Sequence, residues 1–267
     1  MTAVPCAAWA TRKADKPELS AMQAERGQLL AAWVLHRRAY RDTSLIAELF
    51  TADQGRVGVV ARGARGARSR WRGLLEPFQP LLAAWRGRGE LQSLSAAEPA
   101  GPALHLPGRR LASGFYLNEV LLRLLRRHDP APGLFAAYGN ALEQLARAEL
   151  VEAAVLRVFE RELMRELGYE LELRHAADTG DPVDPQRRYY FEPGLGPLPA
   201  QEGSGPGTVT GAALLALAAG QWTAEEQPLL DEAGQLMKRV LAPHLGDRPL
   251  HSRQFYRQMR QQGDRHE

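Results

Sequence analysis

The chain of 267 residues is poor in cysteine and lysine, and it contains no long apolar run. The single cysteine, Cys6, excludes a disulfide scaffold and favours a reducing compartment such as the cytoplasm. No apolar run approaches the roughly 18 residues that a membrane-spanning helix needs, so we expect no membrane association. Hydrophobic residues still make up 45% of the sequence, which is enough for one or two ordinary cores, and we expect two domains.

The motifs of several enzyme classes are absent from the sequence. None of the three lysines precedes Ser or Thr, so there is no GKS or GKT phosphate-binding loop, and there is no GxSxG nucleophile elbow or HExxH zinc motif. His175, Asp178, Asp181 and Asp184 lie in a proline-rich stretch, where solvated turns are more common than metal sites. The sequence therefore predicts no catalytic residues, no cofactor and no metal site.

Positive charge is concentrated in the first third of the chain. Residues 26–97 carry 12 arginines and five acidic residues, a net charge of +7, whereas residues 98–267 have a net charge of −4. Arginine outnumbers lysine by 31 to 3, which codon bias can explain, but codon bias does not explain clustering. Such a cationic segment is expected of a surface that binds phosphate, an anionic membrane or an acidic protein.

Short strand-like runs fill residues 29–98. Five runs rich in Val, Leu, Phe or Trp are separated by turn-forming residues, including residues 52–55 and 86–89. Five short antiparallel strands fit a small closed barrel, of which the Greek-key OB-fold is the leading example, and a sandwich of the same strand number is the alternative. We therefore expect an OB-fold over residues 29–98, preceded by a flexible extension over residues 1–28.

The pattern becomes helical after a linker that contains Pro99, Pro102 and Pro107. Asp129-Pro130 and Pro243 are expected to end two of the helices, and Ser252 is expected to cap the last one. Apolar residues recur at helical spacing over residues 109–128, 134–145, 151–168, 211–219, 224–242 and 252–261.

Residues 169–207 interrupt this helical pattern. They are rich in proline and glycine and contain one short strand-like patch, residues 188–191, so we expect a hairpin or loop insertion. The predicted fold class is therefore α+β, with an N-terminal five-stranded OB-fold barrel followed by a C-terminal α-helical domain. That second domain is expected over residues 109–267, with an irregular, cysteine-free insert.

The stretch RGARGARSRWRG, residues 62–73, contains five arginines and no acidic residue. Guanidinium groups match phosphate oxygens in pairs, and aromatic rings beside a basic groove stack on the bases of single strands. We expect Trp71 and Tyr40 to be exposed for stacking, whereas Trp33, Phe78 and Trp85 are expected in the core. The candidate DNA-binding residues are Arg37, Arg38, Tyr40, Arg62, Arg65, Arg68, Arg70, Trp71, Arg72, Arg86 and Arg88.

Five separated segments of the chain carry a family resemblance. They are VLHRRAYRDTSLIAELFTADQGRVGVVARGAR, LLEPFQPLLAAWRGRGELQSLSAAE, SGFYLNEVLLRLL, VLRVFERELMRELGY and LAPHLGDRPLHSRQFYRQM. In this order they resemble the RecO family of bacterial recombination mediators, over nearly the whole chain from about residue 29. The resemblance implies an OB-fold followed by a helical domain, without enzymatic turnover.

The resemblance also implies partners. RecO-like proteins bind single- and double-stranded DNA, anneal complementary strands, and contact RecR and the acidic C-terminal tail of single-strand-binding protein. They thereby help to load the recombinase RecA onto coated strands during recombinational DNA repair, which implies a nucleoid-associated cytoplasmic location. The resemblance makes Arg157 and Phe159 candidates for binding the acidic tail, and an ion pair of Arg157 with Glu160 on the helix surface is the alternative.

One feature of the family is missing from this sequence. Many relatives carry a four-cysteine zinc site in the region that corresponds to residues 169–207, where this chain has no cysteine. We therefore expect no zinc there, and we expect packing of residues such as Tyr189, Tyr190 and Phe191 to hold the hairpin, unless it is loose.

The sequence is also compatible with two other functions. A metal-dependent nuclease could be built on an OB-containing scaffold if carboxylates converge around a divalent ion. An RNA-binding translation module would also use an OB barrel with a basic loop.

Overall fold

The computed structural model describes residues 28–147, 150–201, 207–222, 226–252 and 254–256. The predicted flexible extension therefore lies outside the described residues, except for Gln28. The chain divides into two compact units. The barrel unit comprises Met1–Ala146 and Leu250–Glu267, and the helix–sheet unit comprises Arg147–Pro249.

Five strands of the barrel unit form a closed barrel. Strand β1 pairs with both β2 and β4, and β5 lies between β3 and β4, which closes the order β1-β2-β3-β5-β4. Strands β3 and β5 are parallel, and the other pairs are antiparallel. This is the predicted OB-fold, and the sandwich alternative is wrong. The strands are β1 (Leu30–Tyr40), β2 (Ser44–Thr51), β3 (Gly55–Ala61), β4 (Pro80–Arg86) and β5 (Leu91–Pro99).

Apolar side chains pack on both sides of the barrel wall. Aliphatic residues such as Val34, Leu49 and Val59 fill the interior and are fully buried. Trp33 is buried as predicted, but its ring packs edge-to-face on Tyr138, with centroids 5.8 Å apart. The first half of β1 is therefore covered on both faces. Its residues form a continuous buried run, since buried and exposed residues alternate only where one face meets solvent.

Two helices supply the covering layer, α1 (Arg110–Leu124) and α2 (Pro132–Arg147). The buried amide of Asn118 joins three elements, since its Nδ2 donates to the Leu35 carbonyl at 2.9 Å and its Oδ1 accepts from the Tyr138 hydroxyl at 2.5 Å. Burial raises the pKa of Tyr138, so that its hydroxyl stays a donor. Packing thus groups α1 and α2 with the barrel, although the sequence changes from strands to helices earlier, in the linker after β5.

The end of α1 differs from the prediction. The helical spacing predicts a helix up to residue 128, but the helix ends at Leu124 and His128 has a positive φ of 58°. Arg127 instead binds the carboxylate of Glu48 on β2, and its Nη1 donates to the Glu90 carbonyl at 3.2 Å. The guanidinium of Arg127 therefore binds to the barrel.

The helix–sheet unit combines three helices with a small sheet of order β7-β6-β8. Strands β6 and β7 form the hairpin predicted within residues 169–207. Tyr189 is buried, whereas Tyr190 is exposed, so the predicted packing applies to the first ring and not to the second. The elements are α3 (Glu152–Glu166), β6 (Arg188–Glu192), β7 (Gly196–Pro199), β8 (Thr208–Thr210), α4 (Gly211–Ala219) and α5 (Gln227–Leu245).

The last two predicted helices also need correction. Helix α5 continues through Pro243 to Leu245, although proline has no N–H to donate to the carbonyl four residues earlier, so the predicted end at this residue is wrong. Ser252 does not cap the final helical segment, in which residues 251–252 and 254–256 are helical. Its hydroxyl and its backbone N–H both donate to Glu119 of α1, at 2.7 and 2.9 Å, and the N–H of His251 donates to the same carboxylate at 3.0 Å.

The carboxylate of Glu119 acts as the N-terminal cap of the helical segment that begins at residue 251. Burial alone would raise the pKa of Glu119, but the hydrogen bonds from Ser252 and His251, together with the charge of Arg123, outweigh burial and lower the pKa. A lowered pKa in the folded state means that the carboxylate stabilises the fold above the pKa of the unfolded carboxyl, about 4.3, and that this stabilisation disappears as the pH falls through the folded value.

We predict that Glu119→Gln lowers the free energy of unfolding by about 1–3 kcal/mol at pH 7, because charged acceptors make the stronger hydrogen bonds. The difference from the wild type should shrink as the pH falls below about 4.3 and through the lower pKa of the folded wild-type carboxyl. Urea unfolding at a series of pH values measures this. Glu90→Gln is the control, since this exposed side chain has no partner among the described residues. A Glu119→Gln difference that does not change with pH would contradict the interpretation.

Candidate nucleic-acid interface

The direction of the strands brings the most basic parts of the barrel together. Because β1 and β3 run toward the same end, the turn after β1 lies beside the connection that follows β3. The backbone N–H of Arg65 donates to the Thr43 carbonyl at 2.8 Å, and its Nη1 donates to the Arg41 carbonyl at 3.3 Å. We call the surface formed by residues 37–41 and 62–73 the basic end.

The connection at residues 62–73 is an ordered series of turns. Backbone N–H groups donate to the carbonyl three residues earlier, from Gly66 to Gly63, from Ser69 to Gly66 and from Arg72 to Ser69, at 3.1–3.3 Å. Gly63 and Gly73 have φ values of +69° and +73°, which favour glycine. The arginines of this connection are therefore displayed on a defined backbone.

Trp71 fixes this connection to the barrel, and its predicted exposure is wrong. The indole is only 5% exposed and belongs to the interior core, because the chain turns inward at this residue. Its Nε1 donates to the Arg62 carbonyl at 3.1 Å, and the guanidinium of Arg70 lies 4.1 Å from the ring centroid. The ring is thus not available for base stacking, and its function is to hold the two ends of the connection.

Tyr40 is the aromatic residue that remains accessible at the basic end. It is half-buried at the end of β1, and the guanidinium of Arg41 lies 5.1 Å from its ring centroid. Sequence reasoning missed Arg41, which has a positive φ of 51° in the turn after β1. The sequence did contain a signal for this residue, namely its position directly after a predicted strand that carries basic residues.

All five arginines of residues 62–73 are exposed, but they differ in their contacts. Arg65 and Arg70 hold the connection in place, the latter also through Nη2, which lies 3.4 Å from the Ser95 carbonyl. In the part of the chain that the structure describes, Arg62, Arg68 and Arg72 form no side-chain hydrogen bond or ion pair. These three cations are the most available for an external anion.

The remaining basic candidates occupy two places. Arg38 is exposed on β1 at the basic end, and neighbouring Arg37 forms an ion pair with Glu76, in which Nη2 and Oε2 are 2.6 Å apart. Arg86 and Arg88 are exposed in and next to the turn between β4 and β5. That turn lies at the opposite end of the strands, so the structure does not bring these two residues to the basic end.

The two candidates for partner binding lie on α3 of the helix–sheet unit. Arg157 is largely buried and pairs with Glu160, which is only 2% exposed, at 2.8 Å. A Cβ on Gly234 of α5 would lie 2.5 Å from Nη1 of Arg157, so the guanidinium fills the space that this glycine leaves. The alternative pairing with Glu160 is therefore present, but it is buried and not on the helix surface.

Phe159 is 2% exposed, so its ring belongs to the core of the unit and cannot be part of a surface for a partner. It lies on the apolar stripe that predicts α3 itself, and this packing is the physical reason for its burial.

The acidic stretch of residues 172–184 does not assemble into a metal site within the described ranges. No three His, Cys, Asp or Glu side chains converge there or elsewhere in those ranges. Glu172 accepts hydrogen bonds from the backbone N–H groups of Arg174 and His175 at 2.7 and 3.0 Å, which lowers its pKa. This carboxylate therefore stabilises a turn.

Comparison with known proteins matches both parts of the chain to one family. The family model for the recombination protein O N terminal matches residues 29–103, and the model for its C terminal matches residues 106–254. The chain belongs to the RecO family. Its OB-fold barrel coincides with the N-terminal family domain, and its helices and small sheet lie in the C-terminal one.

Individual relatives agree with the family models. The DNA repair protein RecO of Alkalilimnicola ehrlichii is 52% identical over 89% of this chain and 94% of the relative. The RecO proteins of Methylococcus capsulatus and Halorhodospira halophila are each 46% identical, over 85% and 90% of this chain and 91% and 100% of the relatives. Among the described helices of this RecO-family chain, none has both the length and the apolar character to cross a membrane.

We predict that Arg157→Ala destabilises the helix–sheet unit by about 3 kcal/mol or more, because it removes the cation beside a buried carboxylate. Arg165→Ala is the matched control, since Arg165 pairs with Glu162 on the exposed side of the same helix and its loss should change stability little. Urea unfolding followed by circular dichroism measures both. Equal stability of the two variants would contradict a structural function of Arg157.

Proposed function

We propose that this RecO-family chain binds single- and double-stranded DNA at the basic end of its barrel and anneals complementary strands. In this proposal it acts in recombinational DNA repair, as a mediator that helps to load RecA onto DNA coated by single-strand-binding protein. The observation that carries the proposal is the set of five exposed arginines on an ordered connection of an OB-fold barrel.

Charge and order both favour binding of a phosphate backbone. Arg62, Arg68 and Arg72 offer guanidinium groups without partners among the described residues, and each can bind a phosphate through two hydrogen bonds. The turns of the connection and the buried Trp71 fix the backbone before the ligand arrives. Less conformational entropy is then lost on binding, which supports affinity for a polyanion.

Base stacking is a smaller part of the proposal than the sequence predicted. Tyr40 is the aromatic side chain at the basic end that can meet a base, since Trp71 is buried. One stacked base contributes about 1–3 kcal/mol, without strong dependence on its identity. We therefore expect binding that depends mainly on charge and only weakly on nucleotide sequence.

Protein partners are proposed on the basis of the family. We propose contacts with RecR and with the acidic C-terminal tail of single-strand-binding protein, and an indirect function with RecA, in the cytoplasm and at the nucleoid. An acidic tail could reach Arg157 only by competing with Glu160, because the arginine side chain is 12% exposed. Other basic residues of the helix–sheet unit are therefore better placed to hold a terminal carboxylate.

Binding without cleavage distinguishes this proposal from a nuclease. Incubation of the protein with labelled DNA and magnesium or manganese should leave the strands intact, and progressive cleavage would favour the nuclease. Equal affinity for RNA and DNA without annealing would favour the RNA-binding alternative.

We predict that changing Arg62, Arg68 and Arg72 together to Ala weakens binding of single-stranded DNA by at least tenfold at low salt. Each phosphate contact contributes about 0.7 to the slope of log affinity against log salt, so the slope should become shallower by about 2. Fluorescence anisotropy over a sodium chloride series measures affinity and slope together.

The control for this variant is the exposed triple Arg165, Arg187 and Arg239 to Ala, which removes the same charge from the helix–sheet unit. It should change the slope little. If both triple variants lose the same affinity, net charge and not the basic end determines binding. If neither loses affinity, the DNA site lies elsewhere.

We also predict that the wild-type protein accelerates annealing of complementary strands precoated with single-strand-binding protein. The reason is that a cationic surface screens the repulsion between two polyanions. Loss of fluorescence from a donor and quencher pair on the two strands measures the rate. The variant of Arg62, Arg68 and Arg72 should anneal slowly, and wild-type rates in this variant would contradict the proposed site.

A further inference from the structure

Glu76 lies directly beside the basic end, five residues after the buried Trp71. Its Oε2 is 2.6 Å from Nη2 of Arg37, and the two side chains are 42% and 40% exposed. Arg37 precedes Arg38 and Tyr40 on β1, so the pair joins this strand to the residues that follow the arginine-rich connection. A carboxylate thus occupies one of the guanidinium groups of the basic end.

The geometry of this pair resembles the contact that a phosphate would make. A carboxylate and a phosphate both present oxygen acceptors to the same guanidinium fork, so they compete for it. The pair is exposed, and such pairs are weak, which means that a phosphate backbone can displace the carboxylate. The other arginines of the basic end face no acidic side chain in an ion pair among the described residues.

We infer that Glu76 is an internal phosphate mimic that occupies Arg37 in the free protein and is displaced when single-stranded DNA binds. The inference rests on the proposed DNA binding at the basic end and adds a residue that regulates it. Arg37 then contributes one phosphate contact, and part of the free energy of this contact is lost in breaking the ion pair with Glu76. Glu76 keeps binding weaker than the arginines alone would make it, which favours release of an annealed product.

The inference predicts that Glu76→Gln tightens binding of single-stranded DNA by about twofold to fivefold at low salt, since the competing ion pair is exposed and weak. The slope of log affinity against log salt should become steeper by up to about 0.7, because one more guanidinium is free to neutralise a phosphate. Anisotropy of a labelled oligothymidylate over a sodium chloride series measures both.

Asp42→Asn is the matched control. Asp42 is exposed in the turn after β1, close to the basic end, and it forms no ion pair within the described ranges. Its neutralisation removes the same charge without releasing an arginine, so it should leave the slope unchanged. If Asp42→Asn and Glu76→Gln have the same affinity and the same slope, Glu76 acts only through net charge and the inference is wrong.

A double-mutant cycle with Arg37→Gln tests the competition itself. Arg37→Gln should weaken DNA binding more in the Glu76→Gln background than in the wild-type background, because only in the former is the guanidinium free at the start. Equal effects in both backgrounds would overturn the inference. Thermal unfolding of each variant checks that these exposed substitutions leave the fold intact.

The same titrations separate this inference from the proposed function. The proposed site is wrong if the wild-type protein shows no salt-dependent DNA binding, or if the variant of Arg62, Arg68 and Arg72 binds like the wild type. In either case the inference about Glu76 is wrong as well. If that variant binds weakly but Glu76→Gln behaves like Asp42→Asn, the proposed site stands and the inference alone is wrong.

Discussion

The burial of one indole ring holds the basic end in position. Residues 62–73 are mostly arginine, glycine and alanine, which have little reason to form an ordered structure by themselves. Trp71 supplies that reason, because its ring joins the barrel interior while its N–H closes the connection on the Arg62 carbonyl. The Trp71 side chain therefore links the apolar core of the barrel to its charged surface. This explains how such a basic segment can be ordered and still display its guanidinium groups.

The barrel depends on its helices in a similar way. A barrel as small as this has a thin interior, and here the outer surface of β1 and β2 is apolar as well, with Trp33 and Phe50 in contact with α2. Buried polar groups such as Asn118 fix the alignment of strand and helices, because an unsatisfied amide in this place would be costly. Contacts make the barrel and its two helices one compact unit, whereas the two family models divide the sequence after the strands.

Much of the fold could be predicted from the sequence, because it depends on periodicity. The five strands, the barrel and the helices follow from the spacing of apolar residues and from turn residues between them. The ends of elements were less predictable, as Arg127 and Pro243 illustrate, because tertiary partners determine where a helix ends. At the candidate site the arginine cluster was visible in the sequence, but the burial of Trp71 was not. A tryptophan among arginines gives no local signal of whether its side chain points to the core or to solvent. Only contacts with residues distant in sequence determine this.

The hydrogen bonds from residues 251 and 252 to Glu119 have a consequence for how the chain folds during synthesis. The barrel unit is discontinuous, since about a hundred residues of the helix–sheet unit separate α2 from the segment that Glu119 caps. On the ribosome, the strands and the first two helices emerge long before this segment does. The carboxylate of Glu119 therefore stays hydrated until residues 251 and 252 have been synthesised, so a segment made after the helix–sheet unit completes the unit that begins to form first.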